Sequence, residues 1–324
     1  MAGPTNKKGL RRRVGKEKTR RVLYGNLAQV LRSRVQTHSQ KAPSYIGICD
    51  VASKRLARAF VHDFRKYNRN PRRKLMIGVM THPVVLNPDL PVPPIVRKAI
   101  TSSFPKPESL SRGFIDDPQV LNTIHYADLY GPKGPRGAGE VANVRRNLEL
   151  CVGYGGKNLH AIQLDINWPK PDELREFRKR HPNISLVLQV GKYSLKACNN
   201  DPQKVVNRLR EYGNSIDHVL LDMSMGQGRA MTSGPLLPLL RSIRAELPYL
   251  GLAIAGGLGP ERNRELEQIA REFPDVSLDA QGRLKPDFTY RDSLGHLSPL
   301  DSANVEKSRK YFRNHLSALD RNQA

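Results

Sequence analysis

The chain has 324 residues, 38% of them hydrophobic and 26% charged, with 54 Lys and Arg against 30 Asp and Glu and a formal net charge of +24. That length suits one α/β barrel with extensions better than two equal domains. No stretch approaches a membrane span and the N-terminus lacks the apolar core of a secretory signal. Cys49, Cys151 and Cys198 make neither a disulfide framework nor a zinc module, so a reducing, cytoplasmic setting without membrane contact is expected.

The positive charge is unevenly spread. Residues 1–40 hold eleven Lys or Arg and a single acid, Glu17, and read as a disordered basic arm preceding a barrel over 41–324. Organelle-targeting peptides share this Arg-rich, acid-poor character, but the many lysines and few serines argue against that role. Residues 54–74 add nine basic side chains against Asp63. Such blocks attract polyanions through counterion release, so nucleic acid bound through residues 1–74 stands beside the plainer reading of a solvated tail and helix face. Aromatics for base stacking are scarce: Tyr24 is alone in the arm, and Phe60, Phe64 and Tyr67 have the spacing of helix core residues.

From residue 45 onward, short β-rich runs alternate with helical patterns. Tyr45 to Cys49 precedes a helix over about 53–67, and Lys74 to Met80 leads into a Pro-rich stretch, 82–121, where only about 95–103 reads as helical. Asn122 to Tyr126, a short third strand, precedes a helix over about 139–152, and His160 to Asp165 one over about 171–181. Ser185 to Val190 precedes a helix over about 201–212, and Asp217 to Leu221 one over about 235–246. Leu252 to Ala255 precedes a helix over about 260–272, and Val276 to Asp279 precedes the last, over about 301–318, after a long loop at 284–299. Eight strand and helix units in a row predict a closed parallel (β/α)8 barrel.

In that fold the carboxyl ends of the strands carry function. Asp222 ends the sixth strand and is followed by Gly226-Gln227-Gly228-Arg229. The seventh runs into Ala255-Gly256-Gly257-Leu258-Gly259-Pro260-Glu261, where Pro260 and Glu261 are expected to open a helix. Glycine N–H groups and a positive helix end suit a phosphate.

These segments resemble phosphoribosylanthranilate isomerase over roughly residues 44–316. Its first strand, Ile-Cys-Gly, is similar to Ile48-Cys49-Asp50, and its fourth, Val-Gln-Leu-His, to Ile162-Gln163-Leu164-Asp165. Its sixth strand, Leu-Leu-Asp before a Gly-rich loop with a basic residue, is similar to Leu220-Leu221-Asp222 and Gly226 to Arg229. The seventh, Ala-Gly-Gly-Leu-x-Pro-Glu, is matched throughout by residues 255–261, and Asp279-Ala280-Gln281-Gly282 is a shorter version of the eighth, Asp-Val-Ser-Ser-Gly.

The resemblance implies an Amadori rearrangement of a phosphorylated aminosugar: the ring opens and a proton leaves C2, turning an aldose-type imine into a ketose-type amine. Such chemistry needs an acid near the ring oxygen and a base near C2, and it needs neither cofactor nor metal. By resemblance Cys49 is the base and Asp222 the acid, with Asp279 holding the bridging amino group. Gly226, Gly228, Gly256, Gly257 and Gly282 would cradle the phosphate, while Gln163 and Arg229 line the site. The family's anthranilate-binding arginine after strand two is missing from Thr81-His82-Pro83-Val84, leaving His82 as the substitute.

Each assignment has a plainer counterpart. A Cys at a strand end commonly serves as a small buried hydrophobe, and an Asp there can cap the following loop. His125, Gln189 and Lys192 are further polar strand ends; Lys192, in Gly191-Lys192-Tyr193, reads as a solvated turn residue rather than an imine former. Asp50, Asp165, His82 and His125 offer metal-ligand types without a tight motif. The expected protein is thus a phosphosugar isomerase with a phosphorylated small-molecule substrate. The alternative is a repurposed, non-catalytic barrel that binds nucleic acid or nucleotide through its basic N-terminal region.

Overall fold

The computed structural model describes residues 42–128, 143–222, 233–286 and 302–321, together with the backbone of two short paired strands at 130–131 and 134–135. Eight parallel strands form a closed barrel: β1 (Tyr45–Ile48), β2 (Lys74–Thr81), β3 (Val120–Ala127), β4 (Ala161–Asp165), β5 (Ser185–Gly191), β6 (His218–Asp222), β7 (Gly251–Ala255) and β8 (Ser277–Ala280). Around it lie α1 (Lys54–Tyr67), α2 (Pro94–Ser103), α3 (Val144–Gly155), α4 (Pro171–Arg180), α5 (Pro202–Arg210), α6 (Ser233–Glu246), α7 (Arg264–Glu272) and α8 (Val305–Asp320).

Strand alternation divides the core in two. Outward positions such as Ile46, Ile48, Leu75, Ile77, Leu186, Leu188, Leu252 and Ile254 join the helix-facing hydrophobic layer. Inward positions contribute a small apolar plug, Tyr45, Met76, Val187, Leu220 and Ala253. Nearer the carboxyl ends the inward side chains turn polar, which the period-2 geometry of a strand makes visible as polar residues interleaved with Ile, Leu and Val. The ring closes where β1 pairs with β8, Gly47 opposite Asp279, and the Tyr45 amide also donates to the Ser277 hydroxyl at 3.0 Å.

Most expected elements are present within a few residues. The third strand is longer than its sequence pattern suggests, because Val120 and Leu121 extend the pairing with β2 from Leu75 onward. The helix after β7 starts at Arg264, capped by Asn263, whose side chain accepts from Glu265 and Leu266 N–H groups. Pro260 and Glu261 therefore lie in the preceding loop and do not open the helix: Asn263 supplies the N-terminal acceptor that neither of them provides. Lys192 opens a short helix, Lys192–Ala197, rather than a turn, and Pro83–Leu86 forms another within the Pro-rich stretch. The expected arm at 1–40 and most of the loop at 284–299 lie outside the described residues.

Candidate active site

The polar side chains at the carboxyl ends of the strands form two connected groups. The first centres on Cys49, which follows β1 and is 2% exposed. Its Sγ lies 3.5 Å from Nδ1 of His125 on β3 and 3.6 Å from Oδ1 of Asp50. His125 fits because its ring lies over Gly78 of β2, two residues from its register partner Met80: a Cβ on Gly78 would sit 2.5 Å from the imidazole Nε2. That Nε2 is buried and has no hydrogen-bond partner among the described residues.

Asp50 adopts a left-handed backbone with φ of 64°, a conformation that costs a non-glycine residue energy and is tolerated when other contacts hold it. Those contacts are explicit. Lys285 Nζ lies 3.0 Å from Oδ2, with both side chains 1% exposed, and Gln281 Nε2 donates to the same oxygen at 2.8 Å. Burial is the largest influence on the Cys49 thiol, followed by the charges of Asp50 and Asp279; together they push its pKa well above the ordinary value despite Lys285. Cys49 therefore rests as a thiol, and His125 Nδ1 is the neighbouring atom able to take its proton.

The second group is a chain of amides ending on a carboxylate. Gln163 Nε2 on β4 donates to Gln189 Oε1 on β5 at 3.2 Å, and Gln189 Nε2 donates to Asp222 Oδ2 on β6 at 3.2 Å. The Oε1 atom of Gln163 is buried without a partner among the described residues. Asp165, at the end of β4, has its carboxyl pushed up to about 7, first by burial and then by the charge of Asp222. The raised Asp165 carboxyl therefore keeps a proton near neutral pH beside the charge of Asp222.

Asp279 on β8 adds a buried Oδ1 without a partner among the described residues, packed over β1 where a Cβ on Gly47 would come within 2.6 Å. Just after β7, Gly256 and Gly257 have φ of 102° and 69°. This left-handed turn suits glycine, the residue that can take it without a Cβ penalty. Gly282 opens a three-residue 3-10 turn after β8, and Arg283 in that turn pairs with Glu261 in the β7 loop at 2.7 Å, tying the two loops together.

The structure thus brings Cys49, Gln163, Asp222, Asp279, Gly256, Gly257 and Gly282 to one end of the barrel, with Gln163 and Asp222 linked through Gln189. His82 also follows a strand end, but its Nδ1 accepts from Val84 N–H as a helix cap and its ring packs on Phe104. Gly226, Gly228 and Arg229 lie outside the described residues. Among the described residues, no group of three His, Cys, Asp or Glu side chains is placed to hold a metal ion.

Sequence reasoning passed over Lys285 and undervalued Gln189 and Asp165. Asp165 and Gln189 were visible as polar residues closing apolar strands, whereas Lys285 lies in a loop with no periodicity to mark it. Its signal was indirect: a buried Asp50 requires a cation.

A closed ring of eight parallel strands with its polar side chains at the carboxyl ends defines a TIM barrel. No protein-family model and no curated protein matches the chain. Among solved structures it is similar to phosphoribosyl anthranilate isomerase from Thermus thermophilus, with a TM-score of 0.50 and 17% identity over 84% of this chain and 98% of that one. It is also similar to active domain 2 of a chitinase from Pyrococcus furiosus (TM-score 0.49, 11% identity, 87% of this chain and 96% of that one). A third is tryptophan synthase subunit alpha from Legionella pneumophila (TM-score 0.48, 12% identity, 86% and 93%). Identities this low speak for the fold and not for the reaction.

Proposed function

We propose that the protein is a barrel enzyme that isomerises a phosphorylated aminosugar by acid–base proton transfer, in the manner of phosphoribosylanthranilate isomerase. The observation that carries this reading is the placement of a thiol–imidazole pair on β1 and β3 and the Asp165–Asp222 carboxyl pair on β4 and β6 at the same end of the barrel. In this scheme the carboxyl pair protonates the ring oxygen through Asp222. Cys49, passing its own proton to His125, removes the one on C2, and Asp279 accepts a hydrogen bond from the bridging amine through its open Oδ1. The phosphate rests on the glycine turns after β7 and β8.

Charge narrows the substrate. Asp222 and Asp279 leave negative charge at the mouth, while Asp50 is neutralised by Lys285 and Asp165 keeps a proton near neutral pH. An aryl carboxylate such as that of anthranilate would be repelled, so the end of the substrate away from the phosphate is neutral or cationic. The test compares phosphoribosyl adducts of aniline and of anthranilate as substrates for wild type and Asp222→Asn. Wild type should favour the aniline adduct, and Asp222→Asn should lower turnover by about two to four orders of magnitude. If neither adduct reacts and millimolar phosphate leaves the melting temperature unmoved, the reading fails.

A further inference from the structure

Residues 42–324 hold 42 basic and 29 acidic side chains, a net charge of +13. Most of that excess comes from two segments of the chain. The segment 54–74, which contains α1, and the segment 305–321, which contains α8, contribute 14 basic side chains against Asp63, Glu306 and Asp320. The two helices pack side by side, with Phe64 edge-on to Phe312 at 6.2 Å.

The three acids are consumed within the face. Arg309 holds Asp63 at 3.1 Å, Lys310 holds Glu306 at 2.8 Å, and Asp320 pairs with the buried Arg73 while accepting from the Arg69 amide at 3.0 Å. Where the C-terminal ends of α1 and α8 meet, a groove of about 490 Å³ is lined by Tyr67, Arg69, Arg262, Arg313, Ser317 and Arg321, among others. The four arginines are exposed, and the side chains of Arg69, Arg262 and Arg313 make no hydrogen bond or ion pair among the described residues.

Like charges gathered this way repel one another and weaken the fold, so the concentration calls for an opposing polyanion. We infer that this face binds the sugar–phosphate backbone of a nucleic acid. Nine of the 14 basic residues are Arg, eight of them exposed, and the planar fork of this side chain matches phosphate oxygens in pairs. Arg309, Arg313, Ser317 and Arg321 recur every four residues, so they rise along one stripe of α8 at about 6 Å intervals and follow a strand of phosphates. Tyr67 borders the groove, its ring packed partly against the core with Lys66 Nζ 5.6 Å from its centre. The groove opens where the C-terminal ends of α1 and α8 meet, whereas the proposed substrate site lies at the carboxyl ends of the strands.

The experiment uses the full chain and a labelled single-stranded RNA of about 20 nucleotides, followed by fluorescence anisotropy across a salt series. Arg69→Ala/Arg262→Ala/Arg313→Ala is compared with Lys157→Ala/Lys170→Ala/Lys204→Ala, which removes the same charge from exposed positions on other faces. Wild type should bind with affinity that falls steeply in salt. The arginine variant should lose at least about tenfold more affinity than the lysine variant, and its salt slope should be shallower by about two, the share of three lost phosphate contacts. Equal losses in the two variants would overturn the inference, leaving general charge attraction. Equally tight binding of a labelled polyglutamate of matched charge would overturn it too, in favour of an acidic protein partner.

Discussion

Removing one charge from the carboxyl pair at the mouth should stabilise the protein, and only at pH values where that charge exists. Asp165 is pushed from 3.8 up to about 7 by burial and, secondarily, by Asp222. Each tenfold change in proton affinity is worth about 1.4 kcal/mol, so an ionised Asp165 costs the folded state at most about 4 kcal/mol, and about half that after solvent screening at the rim. The sign follows from proton counting. Below 3.8 the carboxyl is protonated folded or unfolded and costs nothing; between 3.8 and about 7 the folded state holds the extra proton, so stability falls as pH rises, and above about 7 the full cost applies. Asp165→Asn should therefore raise the urea midpoint at pH 8 by the equivalent of about 2 kcal/mol and leave it unchanged near pH 4. Asp222→Asn removes only the secondary cause and should gain less at pH 8. An equal gain at both pH values, or none at pH 8, would refute the coupling of Asp165 to its surroundings.

His315 works in the opposite sense. Burial pushes it from 6.5 down to about 4 while its Nε2 donates to the Gly259 carbonyl at 2.8 Å, so its contribution is intact above 6.5 and lost as pH falls toward 4. His315→Gln should flatten the acid limb of the stability profile by up to about 3 kcal/mol, and an unaltered limb would place acid sensitivity elsewhere. Gly78→Ala should cost about 1–3 kcal/mol, because the new methyl would meet the His125 ring at 2.5 Å. The comparison is Gly153→Ala in α3, where a Cβ meets nothing within 4 Å and stability should hold or rise by about 0.5–1 kcal/mol. Equal denaturation midpoints for the two would contradict the close packing of His125.

Much of the fold was legible because parallel barrel strands and amphipathic helices leave different periods. Ile46, Ile48, Leu75 and Ile77 alternate with the inward Tyr45, Gly47 and Met76, and the following helix shows apolar Ala57, Phe60, Val61 and Phe64 at helical spacing. Boundaries were less legible where two signals compete. Pro260 is a good first helical residue, yet Asn263 caps the chain three residues later, and sequence alone does not rank them. At the site, residues on strand ends were readable from their position, as with Cys49, Gln163, Asp222 and Asp279. The relations between strands were not: that Gln189 bridges Gln163 to Asp222, or that Lys285 answers Asp50 across 235 positions, depends on barrel closure, which no local pattern encodes.

That closure has a temporal side. The bond from the Tyr45 amide to Ser277 spans 232 positions, and the Lys285–Asp50 pair spans slightly more. During synthesis at about 5–20 residues per second, β1 emerges early and waits on the order of ten seconds to a minute for its second neighbour. Throughout that interval the nascent sheet has two open edges, which can pair with other nascent chains. The first strand is only four residues long, so it offers a foreign strand few hydrogen bonds, and the buried latch of Lys285 on Asp50 can form only once the correct terminal strand has arrived. A short leading edge and a late charged clasp together make the ring slow to misassemble and hard to reopen.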